Sequence, residues 1–313
     1  MPRDRPGDSG VPPDDQGRRR DDQGLREPAE PRTRQEYYVQ LQRTVARERS
    51  VTAQRITAEE QAAADKWDED AAESRWMWGE YQRKWPPEER PPVDRSDDRP
   101  GTWRGDDNGF LRRAANRRVE AECDRIVERE KGKISPALRA VESQDPDRHL
   151  AGFEYRRKGR DRIKEKVHGT INDFSRSPEQ AVSLVPDAIR YTFQYREARY
   201  THGVWTDIER LKGQGFELDK LKNLWSGDQY KGINSQWTDP DTGQKFEVQF
   251  HTRISFEAKQ LTHKAYERLR ERQPDNQAPR ADKFERMVLE AFQKKVTADV
   301  PAPPGAASIP DYP

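Results

Sequence analysis

The placement of proline decides where this chain can fold. Of its 23 prolines, 11 fall in residues 1–100 and five in residues 301–313, which leaves seven for residues 101–300. Proline removes a backbone donor and breaks helix interiors and central strands. A packed body is therefore expected in the middle of the chain. Charge points the same way. Asp, Glu, Lys and Arg make up 37% of the 313 residues, against about 25% in an average soluble protein. A chain this polar cannot bury one core along its whole length.

The charges nearly cancel, 58 basic against 57 acidic for a formal net of +1. That excludes a globally basic nucleic-acid coat and leaves room for a local basic patch. Cys123 is the single cysteine, so no intrachain disulfide and no thiolate zinc site of the usual kind can form. It reads as a structural residue in a helix. No run of about 18 apolar residues suggests a membrane helix. Met1-Pro2-Arg3-Asp4 opens no apolar signal segment. A cytoplasmic protein with no membrane partner is expected, with signal-independent export left open.

Composition divides the chain. Residues 1–33 hold almost nothing to bury and read as disordered. Residues 34–107 form a charged, Trp-rich extension, helical over 34–83 and barely amphipathic. Five of eight tryptophans lie in residues 67–103. Large aromatics in a polar region are usually docking groups. They suit packing on the chain's own body, the favoured reading, or a neutralising or carrier protein. Residues 108–272 read as the folded domain, 273–300 as a C-terminal helix segment, and 301–313 as an extended Pro-rich tail.

Periodicity predicts helices at 109–130, 159–174, 200–213, 253–272 and 281–298, with Ser135-Pro136 as a capped helix start. Alternation predicts strands at Ala188–Tyr195, Phe216–Leu224, Tyr230–Thr238 and Lys245–His251, with a turn at Asp239–Gly243. The expected fold class is α/β or α+β: a small mixed or antiparallel sheet flanked by helices, with a helical, partly disordered N-terminal extension.

Four groups of residues can carry chemistry. In Arg156–Lys166, seven of eleven positions are basic. Cations before and along a helix N-terminus suit a polyphosphate, or simply a solvated helix face. On a strand, Glu247, Gln249 and His251 share one face and Phe246, Val248 and Phe250 the other. A carboxylate there suits Mg²⁺ or general-base work, and the same pattern suits the wet side of an antiparallel sheet. Tyr230, Gly232 and Asn234 would share a strand face, making room for a flat base, or marking a close backbone approach. Asp187, three residues before Arg190, is a second metal carboxylate or a loop cap.

Together these residues resemble the synthetase domain of the RelA/SpoT family over about residues 135–270. Arg156, Lys158, Arg162, Ile163 and Lys166 match the spacing of its Arg-x-Lys…Ser-Ile…Lys motif. Tyr230-x-Gly232-x-Asn234 matches Tyr-x-Ser-x-His. Glu247–Thr252 matches Glu-Val-Gln-Ile-Arg-Thr, and His263 and Tyr266 match a downstream His and Tyr. The flanks are similar to actinobacterial and phage-associated relatives, some of them toxins. The resemblance implies a nucleotidyltransferase-like fold and a Mg²⁺-dependent pyrophosphokinase acting on ATP. Arg156, Lys158, Arg162 and Lys166 would bind ATP. Glu247 and Asp187 would be catalytic and hold Mg²⁺. Tyr230, Asn234, Gln249, His251 and His263 would bind the acceptor, which is GDP or GTP, an adenine nucleotide, or a tRNA 3′ end.

The departures from the family pattern are Arg162 for Ser, Asn234 for His, and His251 for Arg. Val185 takes the usual slot of the metal Asp, and Asp187 stands nearer the strand. No hydrolase His-Asp motif is present, so synthesis without built-in hydrolysis is expected. Two other readings stand beside the enzyme. One is a degenerate nucleotide-binding module. The other is a nucleic-acid-modifying effector with an N-terminal docking region.

Overall fold

Thr57 starts the first helix. Its hydroxyl accepts from the Glu60 N–H and the Glu60 carboxylate accepts from the Thr57 N–H, a capping box that satisfies two orphan donors. This computed structural model describes residues 57–86, 93, 95–96, 98–105, 108–271 and 279–313. Helix α1 runs Ala58–Lys84. The reading of residues 1–33 as disordered, and the 34–56 part of the expected helix, lie outside the described residues.

The weak amphipathicity of α1 has a simple cause. Its buried stripe is Ala64, Trp67, Ala71 and Ser74, small residues around one large anchor. The Trp67 indole N–H donates to Glu257 at 2.9 Å inside the body. Trp103 likewise donates to Asp161 at 2.8 Å, while Trp78, Tyr81 and Trp85 stack with one another and against Phe284 and Phe292. Four of the five clustered tryptophans thus pack on the chain itself. Trp76 is 64% exposed.

Phe110-Leu111 does not open a helix. It forms strand β2 (Phe110–Leu111), antiparallel to β1 (Trp103–Arg104). Helix α2 spans Arg113–Arg129 and runs through a π-helical segment, Glu130–Ile134, into α3, Ser135–Glu142. Ser135 is therefore inside a continuous helix rather than at a cap. Pro136 lacks the N–H that would bond back to residue 132, and the wider π segment absorbs that loss. Cys123 is buried on α2, and burial pushes its thiol up to about 11.

Strand β3 (Arg148–Leu150), helices α4 (Arg160–Asn172) and α5 (Pro178–Ser183), and strand β4 (Arg190–Tyr195) follow. Then come helix α6 (Tyr200–Gly213), strands β5 (Glu217–Asn223), β6 (Ile233–Asp239) and β7 (Gln244–Thr252), and helices α7 (Arg253–Arg270) and α8 (Lys283–Ala298). The sheet order is β3-β4-β7-β6-β5. β4 and β7 are parallel and the other pairs are antiparallel. The expected mixed sheet flanked by helices is present. The three-residue β3 was too short to read from alternation.

Phe246, Val248 and Phe250 are fully buried on one face of β7. Tyr191, Phe193 and Tyr195 of β4 share that layer, with Phe193 stacked on Phe250. Helix α6 covers it. The Tyr200 hydroxyl donates to the Phe250 carbonyl at 2.9 Å. At Gly203 a Cβ would stand 2.6 Å from the Tyr195 ring, so only glycine lets α6 come this close. The tail does not project. Val300, Ala306 and Ile309 are buried, and Tyr312 exchanges two 3.0 Å backbone hydrogen bonds with Leu221. The tail thereby covers the edge of β5, the kind of unpaired edge that invites aggregation. No described helix is long and apolar enough to cross a membrane.

Candidate functional site

Register builds the other face of the sheet. Arg190 lies beside Glu247, Thr192 beside Gln249 and Gln194 beside His251 across the β4–β7 pair. Asn234 lies opposite Gln249 and Gln236 opposite Glu247 across β6–β7. The alternation read from sequence therefore holds, with one correction. β7 is an interior strand with a parallel neighbour, and its polar face is not a wet antiparallel surface. Helix α7 covers it, and Glu247, Gln249 and His251 are 9%, 3% and 0% exposed.

The basic segment Arg156–Lys158 is strapped to the start of β4. Arg157 bridges Ile189. The Lys158 N–H donates to the Ala188 carbonyl at 2.9 Å, and the Arg190 N–H to the Arg156 carbonyl at 2.6 Å. This sets Lys158 beside Asp187, which sits in the short 3₁₀ turn Pro186–Ala188 before β4. Lys166 of α4 reaches both Asp187 oxygens at 2.7 Å. Lys158 lies 3.2 Å away and the Arg190 Nη2 3.0 Å away. Burial would raise the Asp187 carboxyl, but Lys158, Arg190 and Lys166 hold it well below the usual carboxylate range. Burial and the Arg190 charge bring Lys158 down to about 8.

Arg190 links the two carboxylates. Its Nε also lies 3.3 Å from Glu247 Oε1. On the far side, the Gln249 amide N–H donates to Glu247 Oε1 at 2.5 Å, and Lys259 donates to Gln249 Oε1. Burial, then the Arg190 charge, bring Lys259 down to about 7 while Glu247 pulls the other way. Lys158, Lys166, Arg190 and Lys259 thus outnumber Asp187 and Glu247, and the surplus positive charge suits a polyphosphate.

The Tyr230 hydroxyl donates to Asn234 Oδ1 at 2.7 Å and lies 2.6 Å from His251 Nε2. His251 Nδ1 lies 2.9 Å from the Ser255 hydroxyl. Each imidazole nitrogen thus faces a hydroxyl oxygen, that of Tyr230 on one side and that of Ser255 on the other. Burial, and after it the Lys259 charge, hold His251 well below its ordinary range and so neutral. Burial and the Glu247 charge push Tyr230 well above its ordinary value. Tyr230 precedes β6 instead of lying on it. The space left by Gly232 is not open to a base. It holds the His251 ring, which a Cβ at 232 would meet at 2.8 Å. His263 stands on α7. Burial, then the Lys259, Arg190 and Lys158 charges, lower it to about 4 against the pull of Glu267.

Two predicted phosphate ligands point elsewhere. Arg156 is buried. Its Nε lies 2.5 Å from Glu130 and donates to Ser135 Oγ at 3.0 Å, and its guanidinium covers the Phe153 ring. Arg162 turns to Glu165 on its own helix at 2.7 Å. The sequence reading missed Lys259 and Ser255, and used Arg190 only to place Asp187. A signal for the helix pair existed. Ser255, Lys259 and His263 repeat at i, i+4, i+8, one face of a helix.

Among the described residues, no group of three or more His, Cys, Asp or Glu side chains is gathered to hold a metal. Mg²⁺ is commonly bound through one or two carboxylates, with waters and substrate phosphates completing its shell. Asp187 and Glu247, both in contact with Arg190, supply that number of hard oxygen donors, and this donor set fits the ion. No protein-family model matches the chain, and no curated protein matches it.

Proposed function

We propose that this chain is a Mg²⁺-dependent pyrophosphokinase. It would transfer the β,γ-diphosphate of ATP to the 3′-hydroxyl of a nucleotide, an alarmone-type synthesis that releases AMP. One observation carries the reading. Lys158, Lys166 and Arg190 converge on Asp187, and Arg190 joins that cluster to Glu247 on the next strand. Phosphoryl-type transfer needs in-line positioning and spread-out positive charge, with little covalent help from the protein.

In this reading the acceptor 3′-oxygen attacks Pβ of ATP. The bond from Pβ to the oxygen shared with Pα breaks, and its electron pair leaves on that oxygen as AMP. The hydroxyl proton passes to Glu247 and then to solvent. Lys158, Lys166 and Arg190 exchange their carboxylate contacts for phosphate oxygens. Asp187 and Glu247 would hold Mg²⁺, which supplies charge neutralisation at those oxygens. Tyr230, Asn234 and Gln249 bind and orient the acceptor, with His251 holding Tyr230 and Tyr230 holding Asn234. His263 lines the same face.

The test is AMP release from labelled ATP with Mg²⁺ across GDP, GTP, ADP, ATP and bulk tRNA. AMP formed with one acceptor, and lost in Glu247→Gln, supports the reading and names the acceptor. A tRNA-only signal would make the product a pyrophosphorylated 3′ end. The burial of Arg156 favours a second reading, a nucleotide-binding module with a reduced phosphate grip. It expects nucleotide binding by calorimetry with no AMP from any acceptor. A carrier or neutralising protein on the Trp-rich helix would have Trp76 as its exposed anchor; loss of partner capture in Trp76→Ala tests it.

A further inference from the structure

Helix α7 leaves β7 through a tight capping box, Thr252 with Ser255, and doubles back over the polar face. Its first two turns each meet one β7 side chain. Ser255 meets His251 and Lys259 meets Gln249. Glu247 pairs with Gln249 from within its own strand. A glutamine amide has one accepting end and one donating end. With Oε1 taken by the Lys259 ammonium, Nε2 must face the other way, and it faces Glu247. Among the described residues the Lys259 ammonium has one hydrogen-bond partner, Gln249, and it lies 5.5 Å from the Phe256 ring. Glu247 is thus clamped from two sides, by Arg190 and by Gln249, and only the Gln249 side is free of the phosphate cluster.

We infer that Lys259 is a positioning residue that fixes the Gln249 amide and, through it, the Glu247 carboxylate on the acceptor side of the site. The inference rests on the pyrophosphokinase reading for its catalytic consequence, not for the relay itself. Arg190 is expected to let go of Glu247 when phosphates enter. The Lys259–Gln249 arm is then what holds the carboxylate toward the acceptor hydroxyl. An arm of this kind acts on the transition state and on acceptor binding, and it leaves the ATP phosphates untouched.

The experiment is steady-state AMP release by full-length Lys259→Met, Lys259→Arg, Gln249→Leu and the Lys259→Met/Gln249→Leu pair. Lys259→Met is expected to lower kcat about tenfold and raise the acceptor KM, with the ATP KM within about twofold. Lys259→Arg should recover most of kcat. The double variant should be no worse than Gln249→Leu alone, because both act through one amide. Unchanged kinetics in Lys259→Met, or losses that simply multiply, would overturn the inference.

A second readout does not depend on catalysis. In ¹⁵N-labelled protein the Gln249 side-chain amide, assigned by its loss in Gln249→Leu, should show one proton shifted downfield by Glu247. That shift should collapse in Lys259→Met and recover in Lys259→Arg. An amide signal indifferent to Lys259→Met would overturn the relay. A parent that makes no AMP while the amide responds would sink the reaction and keep the relay.

Discussion

His251 occupies the volume that any side chain at Gly232 would need. A Cβ there would stand 2.8 Å from His251 Cε1, 2.9 Å from Nδ1 and 3.0 Å from the Phe250 carbonyl. Gly232 also has φ +146°, a conformation that side chains rarely adopt. The ring cannot retreat, because Tyr230 and Ser255 hold both its nitrogens. The glycine at 232 and the imidazole at 251 are thus sterically coupled. Gly232→Ala is expected to cost about 1–3 kcal/mol through overpacking and backbone strain. Chemical denaturation checks it, and an unchanged midpoint would refute the coupling.

Arg156 divides a stability role from a ligand role. It neutralises Glu130, which is 0% exposed on the π-helical segment. Removing Arg156 leaves the buried carboxylate only the longer 3.6 Å contact with Arg157 as an ion pair, and breaking a buried pair costs about 3–5 kcal/mol. Arg156→Ala should therefore lower the unfolding free energy by that order. Full stability with only a weaker ATP KM would return Arg156 to the phosphate site.

The partly buried His263 sets a pH dependence. The His263 value falls from 6.5 in the unfolded chain to about 4 when folded. Below pH 6.5 the unfolded chain takes up a proton that the folded protein resists. Stability from this group is thus complete above 6.5 and lost as pH falls toward 4, by at most about 1.4 kcal/mol per pH unit. Glu197, raised by burial and by Glu60, acts with the opposite sign. Replacing His263 by Gln should flatten the fall of Tm between pH 6.5 and 4 relative to the parent. Parallel curves for the two proteins would contradict it.

Helix α1 belongs to the body. Trp67 and Ala71 are in the core cluster. Glu60 pairs with Arg196 at 2.9 Å and Tyr81 donates to Glu285 at 2.7 Å. Trp67→Ala should cost about 3–5 kcal/mol, and a chain begun near residue 105 should unfold at lower denaturant. A truncation as stable as the parent would make the Trp-rich helix an appendage.

The readable parts of this protein were those carried by local period. Alternation in Glu247–His251 gave the polar face, and the i, i+4, i+8 spacing of Ile163, Val167 and Ile171 gave the buried side of α4. The opaque parts depend on partners far along the chain. Arg156 looked like a phosphate ligand because Glu130, which holds it, lies 26 residues earlier. The Pro-rich tail looked extended because its partner Leu221 lies on an edge strand that composition does not reveal. The space at Gly232 looked vacant because His251 enters it from the neighbouring strand.

The most direct measurement of the central claim is product stoichiometry. Purified full-length protein is given ATP, Mg²⁺ and the acceptor panel, and AMP is quantified beside the acceptor product by ³¹P NMR. The account expects one AMP for each acceptor that gains a 3′-diphosphate, and neither product from Glu247→Gln. Nucleotide binding with no AMP from any acceptor, or AMP formed equally by Glu247→Gln, would contradict it.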